Sequence, residues 1–275
     1  MIKRPKFIPK PISTYHSVLY KLAVGFRKFE RHLNWLLSSC KFADKTGADK
    51  LKYRVKKHQS VLIRKSKGID LKLQENKVEN LKIVINRLNG VIINPGETFS
   101  FWKLVGKPTK RRGFKMGMEL SCGEAREGIG GGICQVSNLI YWLILHSPLK
   151  VAERHHHSFD PFPDNGRVLP FASGATVMYN YKDFQFKNCT PYKVQLNFWL
   201  DKKCINGEIR ASELFKYSYS VYEEKHFFEK VNGNYFRSNQ LWRRVIDKEN
   251  GGMTIDHEYI VTNYAEVKYT PDLVS

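Results

Sequence analysis

The sequence predicts an α+β fold in which helices come first and a mainly antiparallel sheet follows. Three observations lead to this prediction. Apolar residues recur every three or four positions in three stretches before residue 147. After residue 149 they alternate with polar residues, as they do in half-buried strands. Two asparagine–glycine pairs, at positions 232–233 and 250–251, indicate hairpins towards the C-terminus. Helices followed by strands are typical of α+β proteins.

The first predicted helix covers residues 15–40 and carries one apolar stripe. Lys21, Arg27, Lys28 and Arg31 lie off the stripe, which consists of Leu19, Leu22, Phe26, Phe29, Leu33 and Leu36. Such a stripe either packs on the protein's own core or lies on an anionic membrane surface. We predict docking on the core, because ordinary surface helices show the same pattern.

A second helix is predicted over residues 70–89, after a loop over 41–59 and a short strand over 60–64. Asp70 is a suitable N-cap, and Gly90 stands where a helix ends. The apolar stripe of this helix consists of Val78, Leu81, Ile85 and Leu88. Two β-like segments follow at 91–94 and 98–101, joined by the turn dipeptide Pro95-Gly96.

The third predicted helix runs from Cys134 to His146 and is ended by Pro148. It is apolar nearly all round, which predicts a central helix that is buried on several sides. Strands are predicted after it at 150–154, 175–181, 194–200 and 208–211. We therefore predict a basic N-terminal helical segment (1–59), a core domain (60–215) and a β-rich C-terminal extension (216–275).

Composition limits the classes of partner. The chain has 275 residues, of which 42% are hydrophobic, and a formal net charge of +20. That is ample material for a core, and the positive field attracts nucleic acid, anionic lipid or cell-wall polymers. Nucleic-acid binding rests on charge alone. Its best support is the basic run at 107–115, and such runs are more often solvated loops, so we disfavour it.

The cysteines and the N-terminus predict the compartment. The five cysteines are far apart, include no CxxC pair, and stand at Cys40, Cys122, Cys134, Cys189 and Cys204. The N-terminus is basic and proline-rich but has no apolar signal region, and no apolar run reaches 18 residues. We therefore expect a reduced, cytoplasmic protein without a disulfide framework.

The stretch most informative about chemistry is the glycine-rich run before the third helix. Gly128, Gly130, Gly131 and Gly132 allow the backbone to approach another group closely, and Gln135 follows Cys134 at the helix start. A helix N-terminus stabilises a thiolate and lowers the pKa of a cysteine. Cys134 is therefore a candidate nucleophile.

Candidate bases stand at the end of the next strand, at His155, His156 and His157, after Arg154. Alternate residues of a strand face opposite sides, so only one face of this run can be directed at Cys134. Asp160, Asp164 and Asn180 are candidates for orienting the imidazole. The order of cysteine, histidine and polar residue is that of papain-like and transglutaminase-like enzymes, by analogy of arrangement only.

Other interpretations of these residues stay open. A cysteine opening an apolar helix is often a small buried residue, and the glycines could form only a tight turn. An anion cradle is possible, but the phosphate-loop and dinucleotide motifs are absent. A metal site from Cys134, His155 and His157 lacks a second nearby cysteine and an HExxH motif. We therefore predict no cofactor and no metal.

Several blocks together resemble the VanW family. They are Asn89-Gly90, residues 95–100, residues 128–137, residues 153–158, residues 174–177 and residues 181–188, in that order. Residues 232–269 resemble the C-terminal part of short family members, so the resemblance covers about residues 60–270. Many relatives carry an aspartate before the Ala-Thr-Val triplet, where this chain has Gly174. An essential acid at that position is therefore disfavoured.

The resemblance implies an accessory role in glycopeptide (vancomycin) resistance and cell-wall precursor metabolism. One hypothesis is a Cys/His-dependent hydrolase or acyl transferase that uses Cys134 and one of the three histidines on an amide or ester. The alternative is a non-catalytic binding or scaffold protein whose Gly128–Gly132 loop and histidines, together with Gln135 and Arg154, hold a ligand. The expected partner is a cell-wall precursor or another anionic small ligand. Peripheral contact with the inner face of an anionic membrane is a second expectation.

Overall fold

The computed structural model describes residues 17–63, 70–121, 124–156, 159–160 and 168–271. Its helices in this part of the chain are α1 (Ser17–Leu37), α2 (Leu71–Leu88), α3 (Phe101–Val105) and α4 (Cys134–Leu145), with a 3-10 turn at Lys110–Arg112. The α2 boundaries confirm the sequence prediction. The Asp70 carboxylate accepts a hydrogen bond from the Lys72 amide at 2.7 Å, and Gly90 follows the helix at a φ of 80°.

Fourteen strands accompany these helices among the described residues. They are β1 (Lys45–Thr46), β2 (Tyr53–Val61), β3 (Val91–Ile93), β4 (Thr98–Ser100), β5 (Met116–Ser121), β6 (Glu124–Ile129), β7 (Lys150–Glu153), β8 (Phe159–Asp160), β9 (Gln185–Lys187), β10 (Val194–Leu200), β11 (Cys204–Ala211), β12 (Tyr217–Val231), β13 (Asn234–Asp247) and β14 (Met253–Val267).

The strands form four sheets. The largest has the order β1-β3-β10-β11-β2, and the long C-terminal strands form β12-β13-β14-β8. The smaller sheets are β4-β9-β7 and β5-β6. Pairing between these strands is antiparallel except for β14 with β8. The α+β prediction is thus confirmed. Both predicted hairpins are also present, at β12–β13 and β13–β14.

Helix α4 is the central helix that its apolar composition predicted. Its apolar side chains are almost wholly buried, including Val136, Leu139, Ile140, Leu143 and Ile144. It contacts β2 and β11 of the largest sheet and also α2, which contributes the buried residues Leu81 and Leu88. Burial of this many aliphatic groups makes α4 the centre of the hydrophobic core.

Two local predictions were wrong, at residues 53–59 and 175–181. Residues 53–59 belong to strand β2 and not to a loop, because they pair with β11 across the largest sheet. The β-like segments at 91–94 and 98–101 are confirmed as β3 and β4, and the turn at 95–96 carries the chain from one sheet to the next. Residues 175–181 form no strand beyond the isolated bridge between Met178 and Lys182.

The 175–181 segment is irregular because groups outside any neighbouring strand form hydrogen bonds with its backbone amides and carbonyls. The Asn138 side chain accepts from the Ala175 amide at 2.8 Å, and the Ser137 hydroxyl donates to the Ala175 carbonyl at 2.6 Å. The Thr176 amide donates to the carbonyl of His155 at 2.7 Å. Side chains of α4 therefore replace a neighbouring strand.

The prediction that the α1 stripe packs on the core was also wrong. All six stripe residues are exposed to solvent. The helix contacts the rest of the protein through its other face, where Arg31 pairs with Glu153 and Trp35 packs against the core. This other face packs on the protein because the half-buried Arg31 forms two hydrogen bonds with the Glu153 carboxylate.

Candidate functional site

The glycine-rich loop connects β6 to α4 and is packed by the protein itself. Gly130 and Gly132 have φ angles of 83° and 90°, which favour glycine. A Cβ at Gly131 would lie 2.1 Å from the carbonyl of Gly117 on β5. Asn80 of α2 also donates to the Gly131 carbonyl at 3.0 Å. The close approach that Gly131 permits is therefore to the backbone of β5, while Gly130 and Gly132 face the side chains of Pro108 and Lys77.

The other predicted ligand-binding residues also have internal partners. Gly128 faces the Glu119 side chain, where an added Cβ would lie 2.6 Å from the carboxyl carbon. The Gln135 amide donates to the Ser60 hydroxyl at 2.9 Å and the Val61 carbonyl at 2.7 Å, which ties α4 to β2. Ligand binding by these residues stays a prediction, and their observed contacts are structural.

The Arg154 side chain also contacts other parts of the protein. Its guanidinium donates to the carbonyls of Gly174 and Ala172 and lies 4.7 Å from the centre of the Tyr141 ring. Burial lowers the pKa of Arg154. The side chain therefore holds the irregular 172–178 segment against the end of β7.

Cys134 opens α4, as predicted, but its thiol is not in the environment expected of a nucleophile. The residue is half-buried, and its thiol donates to the Val177 carbonyl at 3.6 Å. Burial raises the pKa of the Cys134 thiol. Desolvation is the largest cause of this shift and opposes the lowered pKa that the helix N-terminus was expected to give.

His155 pairs with a carboxylate and not with the thiol. Its Nε2 lies 2.9 Å from Glu153, and in the described part of the chain no hydrogen bond joins it to Cys134. The 175–177 segment lies between them, because Thr176 bonds to the His155 carbonyl and Val177 to the cysteine. His156 is exposed, and His157 lies outside the described residues.

Glu153 collects hydrogen bonds from three parts of the chain. Arg31 binds it through both terminal nitrogens, at 2.6 and 2.5 Å, and the Asp183 amide donates at 3.0 Å. Burial alone would raise the pKa of Glu153, but its bonds to His155, Arg31 and Asp183 lower it to about 2. This carboxylate is thus ionised and fixed in position.

Asp183 is a second buried acid beside Glu153. Four groups donate to its carboxylate, from Ser100, Trp102, Phe184 and Gln185. Burial raises the pKa of Asp183, despite these donors. The hydrogen bonds to Ser100 and Trp102 fix the start of α3, which is a structural role.

Sequence reasoning missed Glu153 and Asp183. A signal for Glu153 was present, because residues two apart on a strand share a face and it stands two before His155. Of the three candidate orienting residues, Asp160 pairs with Arg237 at 3.6 Å and Asp164 lies outside the described residues. Asn180 is fully buried, and its amide atoms form no hydrogen bond within the described part of the chain.

The described residues contain no group of three potential metal ligands. None of their helices is long and apolar enough to span a membrane.

A cavity of about 370 Å³ lies between the end of α4, β7 and the C-terminal sheet, where Lys150, Arg243 and Tyr259 are among its lining residues. None of the predicted site residues lines it, so the cavity and the Cys134 region are separate features.

Comparison with known proteins links the chain to one family. The protein-family model described as VanW like protein matches residues 76–210 of this chain. The vancomycin B-type resistance protein VanW of Enterococcus faecalis is 30% identical over 243 residues, which is 88% of each chain. The uncharacterized protein YoaR of Bacillus subtilis is 32% identical over 115 residues, 42% of this chain and 36% of YoaR. No solved structure matches this chain.

Proposed function

This chain belongs to the VanW family, and from that premise we propose that it is a non-catalytic accessory protein linked to glycopeptide resistance and cell-wall precursor metabolism. The observation that carries the proposal is the likeness to the vancomycin B-type resistance protein over 88% of both chains. The name of that relative describes the relative as a resistance protein. We extend this role to the present chain because the alignment covers 88% of both chains.

The contacts of Cys134 support binding or scaffolding over a thiol-dependent hydrolase or acyl transferase. Attack on an amide or ester needs a thiolate and a base within hydrogen-bond reach. Here burial raises the pKa of the thiol, and its hydrogen-bond partner is the Val177 carbonyl. The imidazole of His155, one of the candidate bases, is paired with Glu153. Cys134 thus has the contacts of a structural thiol.

The charge of the chain supports an anionic ligand. A net charge of +20 raises the local concentration of negatively charged molecules and the rate at which they arrive. We propose an anionic cell-wall precursor as the ligand class. In this proposal the protein binds the precursor, or holds it for other proteins, without breaking a bond.

Complementation in Enterococcus faecalis tests the proposal. The gene for the VanW relative is replaced by the gene for this chain, and vancomycin susceptibility is compared with the parent and with a deletion strain. We expect this chain and its Cys134→Ala variant to restore the parental susceptibility equally. Alanine suits this test because a serine would place a more polar group in a buried position. Cys189→Ala, at an exposed thiol, is the matched control.

Two results would contradict the proposal. Failure of the unaltered chain to replace the relative, at equal protein level, removes the shared role. Loss of function in Cys134→Ala alone, with unchanged thermal stability, restores the hydrolase hypothesis. A purified-protein assay separates these possibilities further. We expect a precursor pentapeptide that ends in D-Ala-D-Ala to stay intact by mass spectrometry after incubation with the protein.

A further inference from the structure

Helix α1 presents an uninterrupted apolar stripe to solvent. At 100° per residue its eight apolar members fall within an arc of about 100° on one face. They are between 40% and 81% exposed: Val18, Leu19, Leu22, Phe26, Phe29, Leu33, Leu36 and Leu37. Isolated exposed apolar residues are ordinary, but a continuous patch of this kind marks a binding surface.

The opposite face of α1 anchors the helix to the domain. Arg31 binds Glu153 bidentately, and the Lys103 ammonium lies 5.3 Å from the centre of the Trp35 ring. The His32 and Tyr179 rings are 6.5 Å apart. These contacts hold the helix so that its stripe is directed away from the core, although packing the stripe inward would bury more apolar surface. The orientation therefore leaves the stripe available to a partner.

Basic residues outnumber acidic ones on α1. Lys21, Arg27 and Lys28 lie outside its arc on the same helix, and Glu30 is the one acidic residue of α1. The first 16 residues of the sequence add Lys3, Arg4, Lys6 and Lys10 and contain no aspartate or glutamate. An apolar face on a helix and a chain of net positive charge fits a surface that is itself apolar inside and anionic at its border.

We propose that α1 docks this protein on an anionic lipid bilayer. The helix lies in the plane of the interface, with the apolar stripe at the boundary of the acyl chains and the lysines and arginines among the headgroups. A helix of 21 residues is about 30 Å long, so the contact extends over several lipids. The domain is then carried on the side of the helix that contacts Glu153.

A second copy of the chain fits the stripe less well. Pairing two stripes would bring together two chains that each carry a net charge of +20, and this repulsion opposes association. A bilayer with anionic headgroups instead gains from the same charge. The proposal rests on the exposed stripe and its charges, and it is independent of the proposed role in resistance.

Vesicle co-sedimentation with the full chain tests the proposal. The vesicles are phosphatidylcholine alone and phosphatidylcholine mixed with phosphatidylglycerol. The test variant is Leu22→Glu/Phe26→Glu, at residues 64% and 68% exposed, and the control is Leu71→Glu/Leu214→Glu, at residues 61% and 64% exposed. Both double variants change the net charge equally at exposed apolar positions, so their difference reports the stripe and not the total charge.

We expect the unaltered chain to bind the mixed vesicles at least about tenfold more tightly than phosphatidylcholine alone, and less tightly as salt rises. The stripe variant should lose at least about tenfold in affinity for the mixed vesicles, whereas the control stays close to the unaltered chain. Equal binding by the two double variants would overturn the proposal, because charge alone would then suffice. So would absence of binding. A dimer in sedimentation equilibrium that the stripe variant abolishes would assign the stripe to a second copy instead.

Discussion

Replacing Glu153 by glutamine is expected to destabilise the protein and to loosen α1. Glutamine keeps the size of the side chain but removes the charge that Arg31 and His155 contact. Its amide nitrogen also faces groups that are themselves donors, since both Arg31 nitrogens and the Asp183 amide point at this position. At least one of these groups therefore loses its acceptor.

The size of the effect follows from the pKa of Glu153, which these partners lower to about 2. One pKa unit corresponds to about 1.4 kcal/mol, so the shift from the ordinary glutamate value sets an upper limit of about 3 kcal/mol. The Glu153 side chain is 21% exposed, and water screens part of the interaction. We therefore expect a loss of about 1–2 kcal/mol in the free energy of unfolding at neutral pH.

The pH dependence gives the sign of the effect. A carboxylate whose folded-state pKa is lowered stabilises the protein fully above the pKa of the unfolded chain, and this contribution is lost as the pH falls through the folded-state value. The stability difference between the unaltered protein and Glu153→Gln should thus be constant above about pH 5 and close as the pH falls towards about 2.

Urea unfolding followed by tryptophan fluorescence measures this difference, because Trp35 and Trp102 lie in the surrounding structure. Glu79→Gln is the matched control, since Glu79 also pairs with a cation, Lys82, but on an exposed helix surface. We expect the control to change the free energy of unfolding by less than about 0.5 kcal/mol. Equal stability of Glu153→Gln and the unaltered protein, or a gap that persists unchanged at acid pH, would refute the reasoning.

Two further predictions concern packing. Gly131→Ala should lower the free energy of unfolding by about 1–3 kcal/mol or more, because its Cβ would lie 2.1 Å from the Gly117 carbonyl. Gly25→Ala in α1, where no atom lies within 4 Å of the added Cβ, should leave stability unchanged or raise it. Leu143→Ala in the centre of α4 should cost about 2–5 kcal/mol, because Leu143 is fully buried. Leu36→Ala, at an exposed position, should cost less than about 0.5 kcal/mol. Urea unfolding measures all four, and equal losses for Gly131→Ala and Gly25→Ala, or for Leu143→Ala and Leu36→Ala, would contradict these assignments.

The parts of the fold that depend on local pattern were predictable from the sequence. The bounds of α2 follow from Asp70 and Gly90, and the burial of α4 follows from its apolar residues on all sides. The hairpins follow from their asparagine–glycine pairs. In each case the determining residues lie within a few positions of the element that they define.

The parts that depend on distant partners were not predictable. Periodicity located the α1 stripe, but the orientation of the helix is set by Glu153, which is 122 residues away from Arg31. The alternation at 175–181 resembles a strand, yet Ser137 and Asn138 supply its hydrogen bonds. The contact of the Cys134 thiol depends on a distant residue in the same way, because it donates to the Val177 carbonyl, 43 residues away.

Peptide-resolved alkylation of the cysteines across pH tests the central claim most directly, which is that Cys134 is structural. Burial raises the pKa of its thiol, so we predict that Cys134 reacts with iodoacetamide more slowly than the exposed Cys40 and Cys189 at neutral pH. We also predict that its rate rises only at alkaline pH and is unchanged in His155→Gln. Rapid alkylation of Cys134 at or below neutral pH, slowed by His155→Gln, would contradict the account and support a catalytic thiol.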